Sequence, residues 1–203
     1  FRKDFCMTTL KLICNNCGGG EPGQGRIAGN VSTEKGANVS EVHVSVDANL
    51  IEFPKAMMTG TNGNYEFMLE STKDYLVKAV KDTDHLNGVS TLDLVLIQRH
   101  ILGLHNLGSP YKLIAADANN DGKITAADLT ELRKLILGNV MELPENSSWR
   151  FPIKHQIMDP ANPFPFAEIY DIHNLESDML DQSFVAVKIG DVNESVQLNA
   201  QNN

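Results

Sequence analysis

Long apolar runs are missing from this sequence. No stretch approaches the ~20 residues a membrane span needs, so membrane insertion is not expected. Basic residues are also few, 17 Lys and Arg against 26 Asp and Glu. The resulting net charge of −9 disfavours nucleic acid and anionic membranes as partners and suits a chain that gathers cations. Catalytic signatures are lacking: there is no G-x-S-x-G, no H-E-x-x-H and no glycine-rich phosphate loop. The six His are scattered, and no enzymatic activity is expected.

Cysteine is scarce. Cys6, Cys14 and Cys17 are the three, all near the start. A zinc site at Cys14-x-x-Cys17 needs further ligands, of which Cys6 supplies one at most. The reading preferred over zinc is a disulfide, Cys6–Cys14 or Cys6–Cys17, with the third thiol paired to a segment upstream. That reading implies an oxidising, extracellular setting. Phe1 is followed by no apolar block ending in small residues, so a secretory leader is not expected and the chain reads as an internal or processed piece. The single Trp, Trp149, precedes Arg150-Phe151 and reads as a buried anchor for the tail in preference to a sugar-binding platform.

What is present falls into four stretches. Residues 1–25 read as the end of a preceding domain, with a strand over 4–14, followed by a Gly-rich hinge, "GGGEPGQG", at 18–25. Residues 26–81 read as a small antiparallel β-sandwich: Val42, Val44 and Val46 alternate, Asn62-Gly63 makes a turn, Tyr65, Phe67 and Leu69 alternate again, and "YLVKAV" follows at 75–80. Residues 82–138 contain a duplication. "DTDHLNGVSTLDLVLIQRHILG" at 82–103 aligns with "DANNDGKITAADLTELRKLILG" at 117–138, at a constant offset of 35 residues. Each copy is an acidic loop and a helix, with Leu94, Ile97 and Ile101 on one apolar face and Leu129, Leu132 and Ile136 on the other. Gly103 and Gly138 stand where a left-handed C-terminal cap is wanted. Residues 139–203 form a C-terminal extension in which the Pro-rich 160–166 is neither helix nor central strand, 183–192 is strand-like, and "NAQNN" is a frayed end. The fold class is therefore α+β: a sandwich, a two-helix module and a β-containing tail.

The second acidic loop has the oxygen donors that a hard cation requires. Ca²⁺ takes six to eight oxygens, which a twelve-residue loop offers at positions 1, 3, 5, 7, 9 and 12. These are Asp117, Asn119, Asp121, the Lys123 carbonyl, Thr125 and Asp128, with Gly122 at the sharp turn and Ile124 pointing to the core. An acidic surface turn explains Asp117-x-Asn119 but leaves Asp128 and the apolar position 8 unexplained. The first loop is less regular. Asp82 and Asp84 fill positions 1 and 3, Leu86 offers no side-chain oxygen at 5, and Gly88 lies one place late. Asn87 replaces the missing donor, while Ser90 and Asp93 fill positions 9 and 12. Two calcium ions are expected, and Asp191 and Asn193 in the tail's "GDVNES" offer donors for a third. Neither helix contains Met, so a calcium sensor with a Met-rich groove is not favoured.

Loop-then-helix, duplicated, with Asp at position 12 and no helix leading into either loop, resembles the dockerin type I module. That resemblance covers residues 82–138. It implies a pseudo-twofold pair of calcium loops and a cohesin partner that contacts positions 10 and 11, here Thr91-Leu92 and Ala126-Ala127. The second pair carries no hydrogen-bonding side chain. Residues 29–67, with "G-x-V" and "T-x-x-x-G-x-Y-x-F", resemble the prealbumin-like sandwiches of carboxypeptidase-regulatory or collagen-adhesin-repeat type. The whole arrangement is similar to terminal regions of large secreted proteins of Bacteroidota-type bacteria. The resemblances imply a calcium-stabilised extracellular structural or adhesive module at a cell surface, acting on a protein partner or by self-association. The alternative they imply is a dockerin that anchors a secreted enzyme to a cohesin.

Overall fold

The computed structural model describes residues 23–198. The three cysteines, the expected strand at 4–14, most of the Gly-rich hinge and the expected frayed end lie outside the described residues. Strands β1 (Gln24–Ser32), β2 (His43–Asp47), β3 (Lys55–Met58), β4 (Asn64–Glu70) and β5 (Tyr75–Val80) come first. Helices α1 (Thr91–Ile101), α2 (Pro110–Ala116) and α3 (Ala126–Ile136) follow. Four short strands close the chain: β6 (Trp149–Arg150), β7 (Ile169–Ile172), β8 (Phe184–Val185) and β9 (Val187–Lys188). The molecule is α+β, with a strand-rich N-terminal part followed by the helices.

The period-2 patterns act as expected. In β4, Tyr65, Phe67 and Leu69 are buried and the residues between them are exposed, so one face is given to the core. The positive φ of Gly63, +67°, lets the chain turn into this strand, where Gly63 lies against the Val31 carbonyl. β1 begins at Gln24, inside the Gly-rich stretch, and pairs antiparallel with β4, Ile27 opposite Phe67. A second sheet runs β3-β2-β5-β7. Both sheets contribute to one core that includes Ile27, Val44, Phe67, Tyr75, Val77 and Phe184. Trp149 is buried in that core, in keeping with an anchor and not with an exposed platform.

Three features differ from expectation. The pairings within residues 26–81 are antiparallel as expected, but the tail strand β8 joins β1 in parallel, Val31 beside Phe184. A parallel pair needs a long crossover, and here β2 to β7, with the helices among them, lie between the two strands. The expected strand 183–192 is interrupted at Ala186 and ends at Lys188. Gly190 then bends the chain at φ +86°. A Cβ there would meet Leu132 and Val89 at under 3 Å. Among the described residues the helices number three, not two, because "PYKLIAA" forms α2. Ser109 caps it by accepting from the Tyr111 N–H at 3.1 Å, and Pro110 takes the first helical position, where its missing N–H costs nothing.

α1 and α3 pack together around a second core with Leu94, Ile97, Leu129, Leu132 and Leu135. Gly103 and Gly138 end these helices at φ +68° and +70°. The expected apolar stripe is one turn shorter than the pattern suggested. Ile101 is 36 % exposed, and in α3 Leu135 is buried more fully than Ile136. Residues 160–166 lie outside helices and strands. Among the described residues no helix is long and apolar enough to cross a membrane.

Candidate metal centre

The second loop is held from both ends. α2 delivers Asp117 as its own C-cap, and α3 begins immediately after Thr125. Within the loop the side chains fold inward onto backbone donors. Asp117 Oδ1 accepts from the Asp121 N–H at 3.1 Å and Oδ2 from the Gly122 N–H at 2.9 Å. Asn119 Oδ1 also accepts from the Asp121 N–H, at 3.2 Å. Asp128 reaches back from the helix, taking the Asn119 N–H on Oδ1 at 3.2 Å and the Thr125 N–H on Oδ2 at 2.8 Å. Asn120 and Gly122 make the bend with φ of +57° and +75°. The structure thus brings Asp117, Asn119, Asp121, Thr125 and Asp128 into one small hydrogen-bonded loop. Lys123 contributes its backbone, its N–H donating to Asp121 Oδ1 at 2.9 Å, while its side chain faces solvent.

This arrangement concentrates negative charge. Asp117 and Asp128 are buried, at 3 % and 0 % exposure. Burial is the main cause that raises the Asp117 carboxyl above the ordinary carboxylate range. The N–H groups of Gly122 and Asp121 oppose the rise, and the charges of Asp128 and Asp121 add to it. Among the described residues none of the three carboxylates has a Lys, Arg or His within 4 Å. Among them, too, no group of three or more His, Cys, Asp and Glu has a metal-holding arrangement. Calcium also uses amide, hydroxyl and backbone oxygens freely, and the loop offers these beside its carboxylates. Each carboxylate oxygen has two lone pairs, so Asp117 keeps acceptor capacity after binding its two N–H groups. The donor set contains oxygen alone and fits Ca²⁺ rather than a softer metal.

The loop is braced from outside by residues that the sequence did not single out. Asn146 donates to the Asp117 carbonyl at 2.8 Å, and Arg150 donates to the Asn120 side chain. Arg150 is itself held by Glu168 at 2.6 Å. The two helix starts also carry capping boxes, Ser90 with Asp93 and Thr125 with Asp128. The S/T-x-x-D spacing was the available signal for those boxes. Asn146 and Arg150 left no such signal.

The first loop is arranged differently, and the expected ligand set does not assemble. Asp82 turns away, accepting from the Ser148 N–H at 2.7 Å and standing 3.1 Å from His85 Nε2. Asp84 is exposed, with φ +53°. Asn87 pairs with the Gln197 backbone through both its amide atoms, each at 3.1 Å. Gly88 at φ +80° packs against Val196 and Asp191. Only Ser90 and Asp93 keep the geometry of their counterparts, Asp93 Oδ2 taking the Ser90 N–H at 2.9 Å. The physical reason is the irregularity at Leu86 and Gly88. Without a glycine at position 6 the chain does not make the bend seen at Gly122, and Asp82 and Asn87 bond to other partners instead. His85, buried beneath this loop, is structural: its Nδ1 accepts from the Leu143 N–H at 3.2 Å.

Residues 81–137 match the family model of the Dockerin type I domain. This part of the chain is a dockerin-like module. No curated protein and no solved structure matches the chain. Domains of this family bind calcium and engage protein partners, and they are not catalytic modules. The matched span takes in both acidic loops and all three helices, and it ends well before the C-terminal strands.

Proposed function

We propose that the chain is a calcium-stabilised structural and adhesive module of a large secreted or cell-surface protein. Its dockerin-like part works as a fixed piece of the fold and not as a plug on a tether. One observation carries this reading. The stretch 184–189 alternates between two cores: Phe184 and Ala186 pack with the sheets, while Val185, Val187 and Ile189 pack with the helices. A single extended segment thereby forms a wall shared by both parts. Ser109, the cap of α2, adds a link by donating to the Glu34 carboxylate at 2.7 Å.

Calcium in the second loop neutralises Asp117, Asp121 and Asp128 and locks the start of α3, and so the helix packing, in place. Metal that binds only the folded chain stabilises it by mass action. Extracellular modules bind calcium at about 10⁻⁴–10⁻³ M. The module is then rigid outside a cell and loose where calcium is scarce. Differential scanning calorimetry tests the integration. One cooperative transition for sheets and helices together, shifted upward by calcium, is expected. Two independent transitions, with only one responding to calcium, would oppose it.

A second reading, docking onto a cohesin-type partner, has its own support. Thr91, Leu92, Ala126 and Ala127 are all exposed at the starts of α1 and α3, and Val95 beside them is 49 % exposed. Calcium-dependent nanomolar binding to immobilised cohesin domains would favour this reading. Calcium-dependent growth in particle size without any cohesin would favour self-association.

A further inference from the structure

The C-terminal segment repeats the first turn of the second loop beside the helix that lacks one. Asp191 Oδ1 accepts from the N–H four residues on, Ser195, at 3.0 Å. Its Oδ2 accepts from the N–H five residues on, Val196, at 2.8 Å. Asp117 makes the same two bonds at the same offsets, to Asp121 and Gly122. The Asp191 N–H donates three residues back to Lys188, as Asp117 does to Ile114, both at 3.3 Å. The fourth residue of each turn is left-handed, Glu194 at φ +61° and Asn120 at +57°. The second residue of each, Val192 and Ala118, is buried to the same 1 %.

The other half of the loop comes from α1. Asp93 Oδ1 accepts from the Asn193 N–H at 3.2 Å and the Val192 N–H at 3.0 Å. Asp128 takes the Asn119 N–H with the corresponding oxygen. Gly88 makes room for this meeting, since a Cβ there would lie 2.8 Å from Asp191 Oδ2. Asp93 is fully buried and Asp191 is 4 % exposed. Burial raises the Asp191 carboxyl, as it does Asp117, and the charge of Asp93 raises it further. A separate observation points to a ligand. Asn193 Oδ1 is shut off from solvent and accepts no hydrogen bond. Asn193 holds the place of Asn119, whose amide oxygen is a position-3 donor of the second loop. A buried amide oxygen with no partner is destabilising, and a cation removes that cost.

We propose that the chain builds a second calcium site in two pieces, with Asp191, Asn193 and Ser195 supplying positions 1, 3 and 5 and Asp93 of α1 supplying position 12. Asp82, Asp84 and Asn87 are not its ligands. The site replaces the broken half of the first loop with a segment about a hundred residues away, so the ion also fastens the tail to the helices. This inference rests on calcium being the ion of the second loop.

Isothermal titration of the chelator-treated full chain with Ca²⁺ tests it, circular dichroism confirming the fold of each variant. The wild type takes two ions. Asp191→Asn and Asn193→Ala each reduce this to one, or weaken one site at least tenfold, while Asp82→Asn with Asp84→Asn leaves two. Asn193→Ala removes an oxygen without a partner, so it does not lower the melting point in EDTA, and it decides the matter if Asp191→Asn fails to fold. Two tight sites in Asn193→Ala, or loss of an ion on changing Asp82 and Asp84, overturns the split site. A wild type that binds one ion, lost in Asp117→Asn, overturns the split site and leaves the second-loop reading standing. No binding at all overturns both.

Discussion

The two copies of the duplication share a helix, a capping box and a buried Asp at position 12, yet they solve the front of the loop differently. In 117–128 every side chain that faces inward comes from the loop itself, and the turn is made locally at Asn120 and Gly122. In 82–93 the front half is unwound and serves other partners. Asp82 holds Ser148, and Asn87 holds Gln197. The space in front of Asp93 is filled by residues 191–196. A duplicated unit can therefore lose half of its ligand pattern and keep its geometry, provided another part of the chain supplies the same turn.

The sharpest way to break this comparison is at position 12. Asp128→Ala removes a buried acceptor of two loop N–H groups and with it half of the capping box, and is expected to cost about 3 kcal/mol of unfolding free energy in calcium. Asp93→Ala should cost a similar amount, since the tail N–H groups of Val192 and Asn193 lose their acceptor together with the Ser90 N–H. Urea melts compare the two, and a negligible effect at Asp93 would show that the tail is not held there. Glycine substitutions come next. Gly88→Ala places a Cβ against Asp191 and Val196 at φ +80°, whereas at Gly122 the nearest atom is 3.8 Å away. Both positions carry left-handed strain, so Gly122→Ala should cost about 1 kcal/mol and Gly88→Ala about 2 kcal/mol or more. The reverse order in the same melts would contradict the crowded meeting of tail and loop. Asn146→Ala should cost about 1 kcal/mol, since it frees the Asp117 carbonyl, and should lower calcium affinity at the second loop alone. Lys123→Ala should change stability by less than about 0.5 kcal/mol, because only its backbone is used.

How much of this was legible in the sequence depended on how local each feature was. Asp117, Asn119, Asp121 and Asp128 lie within one turn and one helix start, so their spacing was enough to propose a shared centre. The alternation in Tyr65-x-Phe67-x-Leu69 and the glycines at 103 and 138 were readable for the same reason. The extra helix α2 was missed because seven residues carry little periodicity, although Ser109-Pro110 was a start signal. The parallel pairing of β8 with β1 left no local trace, because it depends on where the helices return the chain. The meeting of Asp191 with Asp93 was hidden in the same way. "GDVNES" shows Asp-x-Asn, but nothing in those six residues tells which carboxylate stands opposite. The irregular "DHLNG" of the first loop was legible as a defect, and its remedy was not.

The central claim is that cations hold these carboxylates together, and thermal unfolding with and without calcium addresses it most directly. At a hundredfold excess over the dissociation constant, each site adds about 2.7 kcal/mol. For a chain of this size that is about 5–10 °C in melting temperature per ion. The account predicts such a rise at millimolar calcium, reversed by EDTA, absent with magnesium and smaller in Asp117→Asn. A melting temperature that is the same in calcium and in EDTA would contradict it.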